Sequence, residues 1–337
     1  MAKKRITVAT FNVENLFSRF KFRGKRYKRK VGGKTKYYYK SYTPKQLQAA
    51  VADGFIIDNK KFKRYLPVSR KLTAQAIRAT RADFVALQEI ENLDTLKYFN
   101  SNLLKGKKRY DYPFVIDGND PRFIDVGFLS RHEFDFIRTH QYDKRKKSSV
   151  KIFSRDCLEV HLKIGQTTLP IFVNHLKSMM GGRSKTKKRR LEQCERIIDI
   201  LKVRFGSNYK SEYFIIMGDL NDYIESGKEN ESGLHPLLAN NAIVNIVNRL
   251  SAGEQWTHYY KSTKWEKAYR QLDYILLSKK LADDNPTATP SIIRGGMPLR
   301  VNKKGKPAKV KESEFFKDIS GTLKASDHCP VTITLLV

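Results

Sequence analysis

Asp219 and Asn221 stand two residues apart, directly after the apolar run Ile215-Ile216-Met217-Gly218. On an extended backbone that spacing points a carboxylate and a carboxamide the same way. Such a pair can hold a water and strip its proton, which is what hydrolysis of an ester requires. Gly, Asp and Asn are also ordinary turn residues, so the stretch taken alone favours a plain turn. Five further strand ends or strand-flanking turns carry groups of the same kind: Asn12 with Glu14, Glu89, Asn174 with His175, Asp273, and Asp327 with His328. One such end is a turn; six are hard to explain as turns. Together they offer oxygen ligands for one or two hard divalent cations, a base for water and a donor to phosphate oxygen. Mg²⁺ keeps most of its waters and needs one or two protein carboxylates, which suits Glu89 and Glu14. A donor set rich in carboxylates and poor in cysteine does not suit a closed zinc site.

These groups must be carried by sheet. Ile6 to Thr10 predicts a short first strand, and Asp83 to Glu89 is an apolar run ending in a carboxylate. Ile124 to Ser130, Tyr213 to Met217, Trp256 to Tyr260, Gln271 to Leu277 and Val331 to Val337 read as further strands. Cys157 to Ile164 alternates strictly and predicts a half-buried strand, turning at Gly165-Gln166 into a hairpin that ends at Asn174-His175. Ser69 to Arg81 reads as a helix behind a serine cap, with Leu72, Ala76, Ile77 and Ala79 on its apolar face. A second helix follows a basic run at 183–190 and carries the stripe Leu191, Cys194, Ile198 and Leu201. Strands outnumber helices, which points to two packed sheets with helices outside.

The chain has 337 residues, 40% of them hydrophobic, enough for a sizeable core. Its formal charge of +32, from 66 Lys+Arg against 34 Asp+Glu, implies a polyanionic partner, nucleic acid first and an anionic membrane surface second. Residues 19–40 carry eleven basic side chains and no acidic one, interleaved with Phe20, Phe22, Tyr27, Tyr37, Tyr38 and Tyr39. Basic residues mixed with aromatic ones suit phosphates plus stacked bases. Arg26, Lys28, Arg29 and Lys30 are the phosphate-binding candidates of this segment, and Gly32-Gly33 marks a hairpin turn. We read about 18–68 as a basic, aromatic-rich insertion within a single domain of 1–337. Arg189 and Arg190 belong to a second basic run, and residues 294–311 form a third. Three cysteines without a CxxC spacing suit a reducing compartment. The N-terminus lacks a signal-type apolar region, and no apolar run reaches a membrane span. A cytoplasmic, monomeric protein is expected.

The ordered set of motifs resembles the endonuclease/exonuclease/phosphatase superfamily, whose fold is that of pancreatic DNase I. The matching pieces are Asn12-Val13-Glu14, Leu87-Gln88-Glu89, Asn174-His175-Leu176-Lys177-Ser178, Gly218-Asp219-Leu220-Asn221-Asp222, Gln271-Leu272-Asp273-Tyr274 and Ser326-Asp327-His328. Asp120-Pro121-Arg122-Phe123-Ile124-Asp125-Val126 is similar to a stretch of bacterial nucleases of this family. The resemblance implies a four-layer α/β/β/α sandwich with two mostly antiparallel sheets. It implies Glu89 as chief metal ligand, supported by Glu14, with Asn12 in the metal–phosphate network and Asp327 near the metal. Asp219 would orient or deprotonate the attacking water, which Asn221 helps to place. His328, oriented by Asp273, would contact the scissile phosphate, and the general base is Asp219 in one family mechanism and His328 in another. His175 would donate to a phosphate oxygen or the leaving group. Arg122 and Lys177 would bind phosphate.

Each assignment has a plainer counterpart: His175 as a satisfied rim histidine, Asp273 as a turn cap, Arg122 as a surface residue. His140, His161 and His258 lack such context and read as structural; Asp222 reads as holding the turn. Asp125 sits inside an apolar strand and should be paired. The function expected is a Mg²⁺- or Mn²⁺-dependent nuclease, Ca²⁺ being a further candidate, that cuts phosphodiester bonds of DNA and extends to RNA. The alternatives are a phosphatase or lipid phosphodiesterase of the same superfamily, and a non-catalytic nucleic-acid binder. The basic insertion departs from the family pattern.

Overall fold

The computed structural model describes residues 3–16, 67–104, 109–122, 124–225, 231–260, 268–297 and 323–337, with short stretches at 20–22, 28–31, 34–37, 41–42 and 62–64 and single residues 45, 106, 227, 316, 317 and 319. Twelve strands of the described residues form two six-stranded sheets. In chain order they are β1 (Arg5–Leu16), β2 (Phe84–Ile90), β3 (Tyr112–Val115), β4 (Asp125–Ser130), β5 (Phe134–Arg138), β6 (Cys157–Ile164), β7 (Thr167–His175), β8 (Ile215–Asp219), β9 (Ile243–Asn245), β10 (Asp273–Ser278), β11 (Ser291–Ile292) and β12 (Val331–Leu336). The first sheet has the order β11-β12-β1-β2-β4-β3, the second β5-β6-β7-β8-β10-β9. Each contains one parallel pair, β1 with β2 and β7 with β8, and is otherwise antiparallel. A parallel pair needs a crossover. Helix α1 (Pro67–Thr80) supplies one and α3 (Arg183–Phe205) the other, while α2 (Leu93–Leu103) follows β2.

Three apolar clusters make four layers. Between the sheets lie Ile6, Val8, Phe84, Phe128, Val160, Ile171, Met217 and Ile275, with the Phe84 and Phe128 rings stacked at 5.1 Å. Leu72, Ile77, Leu96 and Phe99 of α1 and α2 cover Phe11, Val85 and Leu87 on the outside of the first sheet. Cys194, Ile197 and Leu201 of α3 cover Phe172, Phe214 and Ile216 on the outside of the second. Burial on both faces explains why the central strands read as nearly unbroken apolar runs.

Several expectations change. The first strand runs on through Asn12 to Leu16, because β2 pairs with it up to Asn12 and again at Leu16. Helix α1 begins at Pro67, so Ser69 lies within it and accepts from Thr73 Oγ1 rather than capping it; Ala74 is buried and Ala79 exposed. The basic run at 183–190 does not precede α3 but forms its first two turns, since Lys and Arg are good helix formers. The buried stripe is Arg190, Gln193, Cys194, Ile197, Ile200 and Leu201, so Ile197 rather than Ile198 faces the sheet. Strand β6 is buried on both faces, Lys163 alone being exposed. Its polar positions turn into a network in which Glu159 binds His140 at 3.1 Å, His161 at 2.6 Å and Arg204 at 2.6 Å. Asp125 makes no ion pair among the described residues: its Oδ1 accepts the Gly118 N–H at 2.8 Å, and burial pushes its carboxyl up to about 7, against a lowering by the charge of Arg155.

In the insertion, Phe20–Phe22 pairs with Ser41–Tyr42 and Phe62–Arg64, and Lys28–Val31 pairs with Lys34–Tyr37 as the expected hairpin. Lys28, Arg29 and Lys30 are described as backbone of that strand. Arg26, like most of the third basic segment, lies outside the described residues.

Candidate active site

Topology brings the polar strand ends to one rim. The ends of β1, β2, β7 and β8 and the starts of β10 and β12 meet there, since β10 opposes β8 with Asp273 across from Asp219, and β12 opposes β1 with Val331 across from Thr10. His175 is the register partner of Asp219 in the parallel pair. Backbone irregularity then aims the side chains. Glu14, Glu89 and Asn221 adopt φ of 46°, 67° and 55°, and the register of β1 and β2 shifts beside Glu14 and Glu89. Left-handed conformations of this kind cost about 1–3 kcal/mol each and persist where surrounding structure holds them. Here Glu89 Oε2 accepts the Asn15 N–H at 3.1 Å and Asn12 Oδ1 accepts the Glu14 N–H at 3.0 Å. Gly218 has φ 141°, and a Cβ there would lie 1.9 Å from the Asn174 carbonyl oxygen, so the strand entering the site demands glycine.

Asp219 Oδ2 is the focus. Asn12 Nδ2 donates to it at 3.0 Å and Asn221 Nδ2 at 2.9 Å. His175 Nε2 stands 3.5 Å away and His328 Nε2 3.8 Å away. Oδ1 of the same carboxylate accepts the Asn221 N–H at 2.9 Å. Burial pushes Asp219 up to about 7; Asp273 reinforces the rise, and His328 and Asn12 oppose it. His328 is oriented from behind: Nδ1 lies 2.8 Å from Asp273 Oδ2, which also accepts from Thr257 Oγ1 at 2.7 Å. Burial pulls the His328 imidazole down, but the charges of Asp273 and Asp219 and the Asp273 hydrogen bond hold it well above the usual histidine range. His175 goes the other way. Burial, then the positive charge of Arg155, keeps it well below that range.

Glu89, Glu14 and Asp327 form the acidic side. His175 Nε2 is 4.0 Å from Glu89 Oε1, and Glu14 Oε2 accepts the Asp327 N–H at 3.0 Å. Burial and then the charge of Asp327 push both glutamates upward. Carboxylates that raise one another in this way form an anionic cluster that a hard cation would relieve, so the donor set fits an oxygen-preferring divalent ion. Two other groups, Asp219/Asp273/His328 and His258/Asp327/His328, also place candidate ligand atoms within 4.8 Å of one another. In both, the His328 ring is already committed to Asp273, and we read them as hydrogen-bonded sets rather than cages.

Arg122 is gripped by Asp120, with Nε to Oδ1 at 3.0 Å and Nη2 to Oδ2 at 2.9 Å. Its charge reaches Glu89 and His175. Lys177 feels Arg155 and Arg122, and partial burial followed by those charges lowers its ammonium. Arg190 is not a phosphate ligand: it is fully buried, with Nε to Asp222 Oδ2 at 2.9 Å and further bonds to Lys177 O, Thr186 Oγ1 and Arg183 O. Asp222 also binds Arg183 and the Tyr223 and Gly233 N–H groups, the turn-holding role expected of it. Arg189 donates to the Lys151 carbonyl and lies 3.7 Å from Glu192.

Sequence reasoning missed three groups at this rim. Arg155 is buried, 3.0 Å from Asp120 and 3.1 Å from the Leu176 carbonyl, and its charge acts on Glu89, Asp219 and His175. Lys324 pairs with Glu14 and stands 4.0 Å from Asp327. His258, read from the sequence as structural, packs its ring 4.6 Å from that of His328 and lies 4.0 Å from Asp327. Arg155 and Lys324 are single cations in unremarkable local sequence; only the Thr257-His258 pairing with Cys329 and His328 brings His258 in.

A family model described as Endonuclease/Exonuclease/phosphatase family matches residues 7–335. No protein of curated function matches the sequence. Among solved structures, truncated TDP2 of Caenorhabditis elegans is similar with a TM-score of 0.56 at 12% identity, covering 99% of this chain and 98% of that one. TDP2 of D. rerio complexed with single strand DNA product gives 0.54 at 14% identity and 98% of both chains. The mannosyl-6-phosphatase Bt3783 of Bacteroides thetaiotaomicron gives 0.53 at 13%, with 98% and 99% covered. At such identities the likeness is one of fold.

Proposed function

The chain belongs to the endonuclease/exonuclease/phosphatase family, and from that premise we propose that it is a divalent-metal-dependent nuclease hydrolysing phosphodiester bonds of DNA. The observation that carries the reading is the convergence on Asp219 Oδ2 of Asn12, Asn221, His175 and His328, beside the acidic group Glu14, Glu89 and Asp327. A simple binder needs no such carboxylate. Asp219 takes the proton of the attacking water, and Asn12 and Asn221 fix its orientation. His328, aligned by Asp273 and Thr257, meets the scissile phosphate with Nε2 and stabilises the charge that develops there. His175 donates to a phosphate oxygen or to the leaving group. Glu89 and Glu14, with Asn12 and Asp327 beside them, would hold Mg²⁺ or Mn²⁺. Such an ion, when bound, polarises the phosphoryl oxygen and neutralises negative charge. Arg122 and Lys177 bind the phosphate.

The net charge of +32 supports a nucleic-acid substrate, because phosphate neutralisation supplies most non-specific affinity. A phosphatase is the second reading, favoured by the likeness to a mannosyl-6-phosphatase. A panel of plasmid, single-stranded DNA, RNA, inositol phosphates, sphingomyelin and mannose 6-phosphate, run with Mg²⁺, Mn²⁺, Ca²⁺ or EDTA, separates them. Cleavage of DNA that EDTA abolishes and Mg²⁺ restores is expected. Turnover of the monoesters alone would give the site to the phosphatase reading.

A further inference from the structure

The acidic side of the rim contains a cation of its own. Lys324 Nζ pairs with Glu14 Oε2 and stands 4.0 Å from Asp327 Oδ2. The same Glu14 oxygen accepts the Asp327 N–H at 3.0 Å, so Oε1 is the oxygen left for an ion shared with Glu89. Burial raises the Glu14 and Asp327 carboxyls; the charge of Lys324 lowers both, joined at Asp327 by His328 and His258. At Glu89 the opposing charges are those of His328, Arg155 and Arg122. Different cations therefore serve the two sides of the acidic group.

The lysine is aimed by the chain that carries it. The Ala325 N–H donates to the Gly296 carbonyl at 2.8 Å, and the Ala325 carbonyl accepts from Thr73 Oγ1 of α1 at 2.9 Å. Ser326 Oγ donates to the Asn12 carbonyl of β1 at 2.6 Å and accepts the His328 N–H at 3.0 Å. The backbone next to Lys324 is thus tied to the strand that carries Glu14, and the lysine side chain is only 28% exposed. An ammonium tethered in this way acts at a local concentration on the order of millimolar or above. Mg²⁺ must give up water to compete with it, and does so reluctantly. Asp327 faces three nitrogens at similar range. Lys324 Nζ and His258 Nε2 are each 4.0 Å from Oδ2, and His328 Nε2 is 3.9 Å from Oδ1. A divalent ion bound by Asp327 would have to share that carboxylate with the ammonium, and like charges at such range repel.

We propose that Lys324 is a built-in cation that takes the Glu14–Asp327 side of the acidic group, so that the chain binds one divalent ion and not two. The inference rests on the metal-dependent reading above and deepens it. The ion belongs to Glu89, and its companion charge comes from the chain itself.

The test counts ions and not turnovers. Free Mn²⁺ is followed by electron paramagnetic resonance as it is titrated into the full chain, without nucleic acid and at low ionic strength. A chain of formal charge +32 attracts few adventitious cations, which keeps the count clean. The wild type is expected to bind one Mn²⁺ per chain. Lys324→Met keeps the stem, removes the charge and is expected to bind two. Lys324→Arg keeps the charge and is expected to stay at one. Near-UV circular dichroism checks that each variant is folded, and Lys324→Gln, which retains a donor to Glu14, replaces the methionine variant if that one is not. Two ions on the wild type would overturn the inference. So would a single ion held with wild-type affinity by the uncharged variant. A single but tighter site in that variant would overturn it too, and would make Lys324 a competitor for the Glu89 ion. No Mn²⁺ bound by any form would overturn the metal-dependent reading itself, and this inference with it.

Discussion

Asp219 shows how far one residue depends on its neighbours. By itself it is a turn aspartate; with Asn12, Asn221, His175 and His328 around one oxygen it is the group to which the proposed mechanism gives the proton of the attacking water. Asp219→Ala and His328→Ala should each lower DNA cleavage by a factor of roughly 100 to 10,000, the usual worth of an acid–base or charge-stabilising group. Binding, followed by fluorescence anisotropy of a labelled duplex, should stay near wild type. Full cleavage by either variant would sink the mechanism. Arg190 teaches the opposite lesson. Its place in a basic run predicts a phosphate ligand, yet its guanidinium is sealed against Asp222 under the helix. Arg190→Met leaves Asp222 short of a buried partner and should cost about 3–5 kcal/mol in urea unfolding. The salt dependence of DNA binding by the folded fraction should not change.

At the scale of elements, the strands that matter are those whose ends break the regular pattern. Both parallel pairs end in the site, and the register shifts at Glu14 and Glu89 turn carboxylates towards it that a straight strand would alternate away. The sequence marks these positions only as polar ends of apolar runs. The left-handed backbone that aims them depends on pairing partners more than 70 residues away, as in the Asn15 N–H bond to Glu89. Strand β4 supplies a test of its own. Burial raises Asp125 from 3.8 to about 7, so the folded protein holds a proton across that window which the unfolded chain has lost. This contribution is present in full below the unfolded value and is lost as pH rises towards about 7. Asp125→Asn keeps the acceptor for the Gly118 N–H and should remove that pH dependence. It should stabilise the protein at pH 8 by up to about 4 kcal/mol, read from urea midpoints at pH 5 and pH 8. A variant with the same pH profile as wild type would show that Asp125 is ionised in the fold.

At the scale of the whole molecule, a chain of formal charge +32 carries a cluster of carboxylates and imidazoles at one rim of its sheets. Deleting residues 19–40 should weaken DNA binding and flatten log K against log salt by roughly one unit for each side chain that meets a phosphate. An unchanged slope would place the insertion away from the DNA. Among the described residues no helix is long and apolar enough to cross a membrane. The sequence by itself determined the layered fold and the polar strand ends that meet at the rim. Apolar runs long enough to cross a sheet end at polar residues in a family-like order, and burial on both faces demands that pattern. Only the tertiary structure decided which cations belong to the site. Arg190 and Arg155 look alike as sequence, but one is locked to Asp222 under α3 and the other, held by Asp120, puts its charge on Glu89 and Asp219. It also placed His258 against His328 and Lys324 against Glu14. Charge and polarity are local properties of a residue; what they face is set by strand register and crossover, which join positions far apart in the chain.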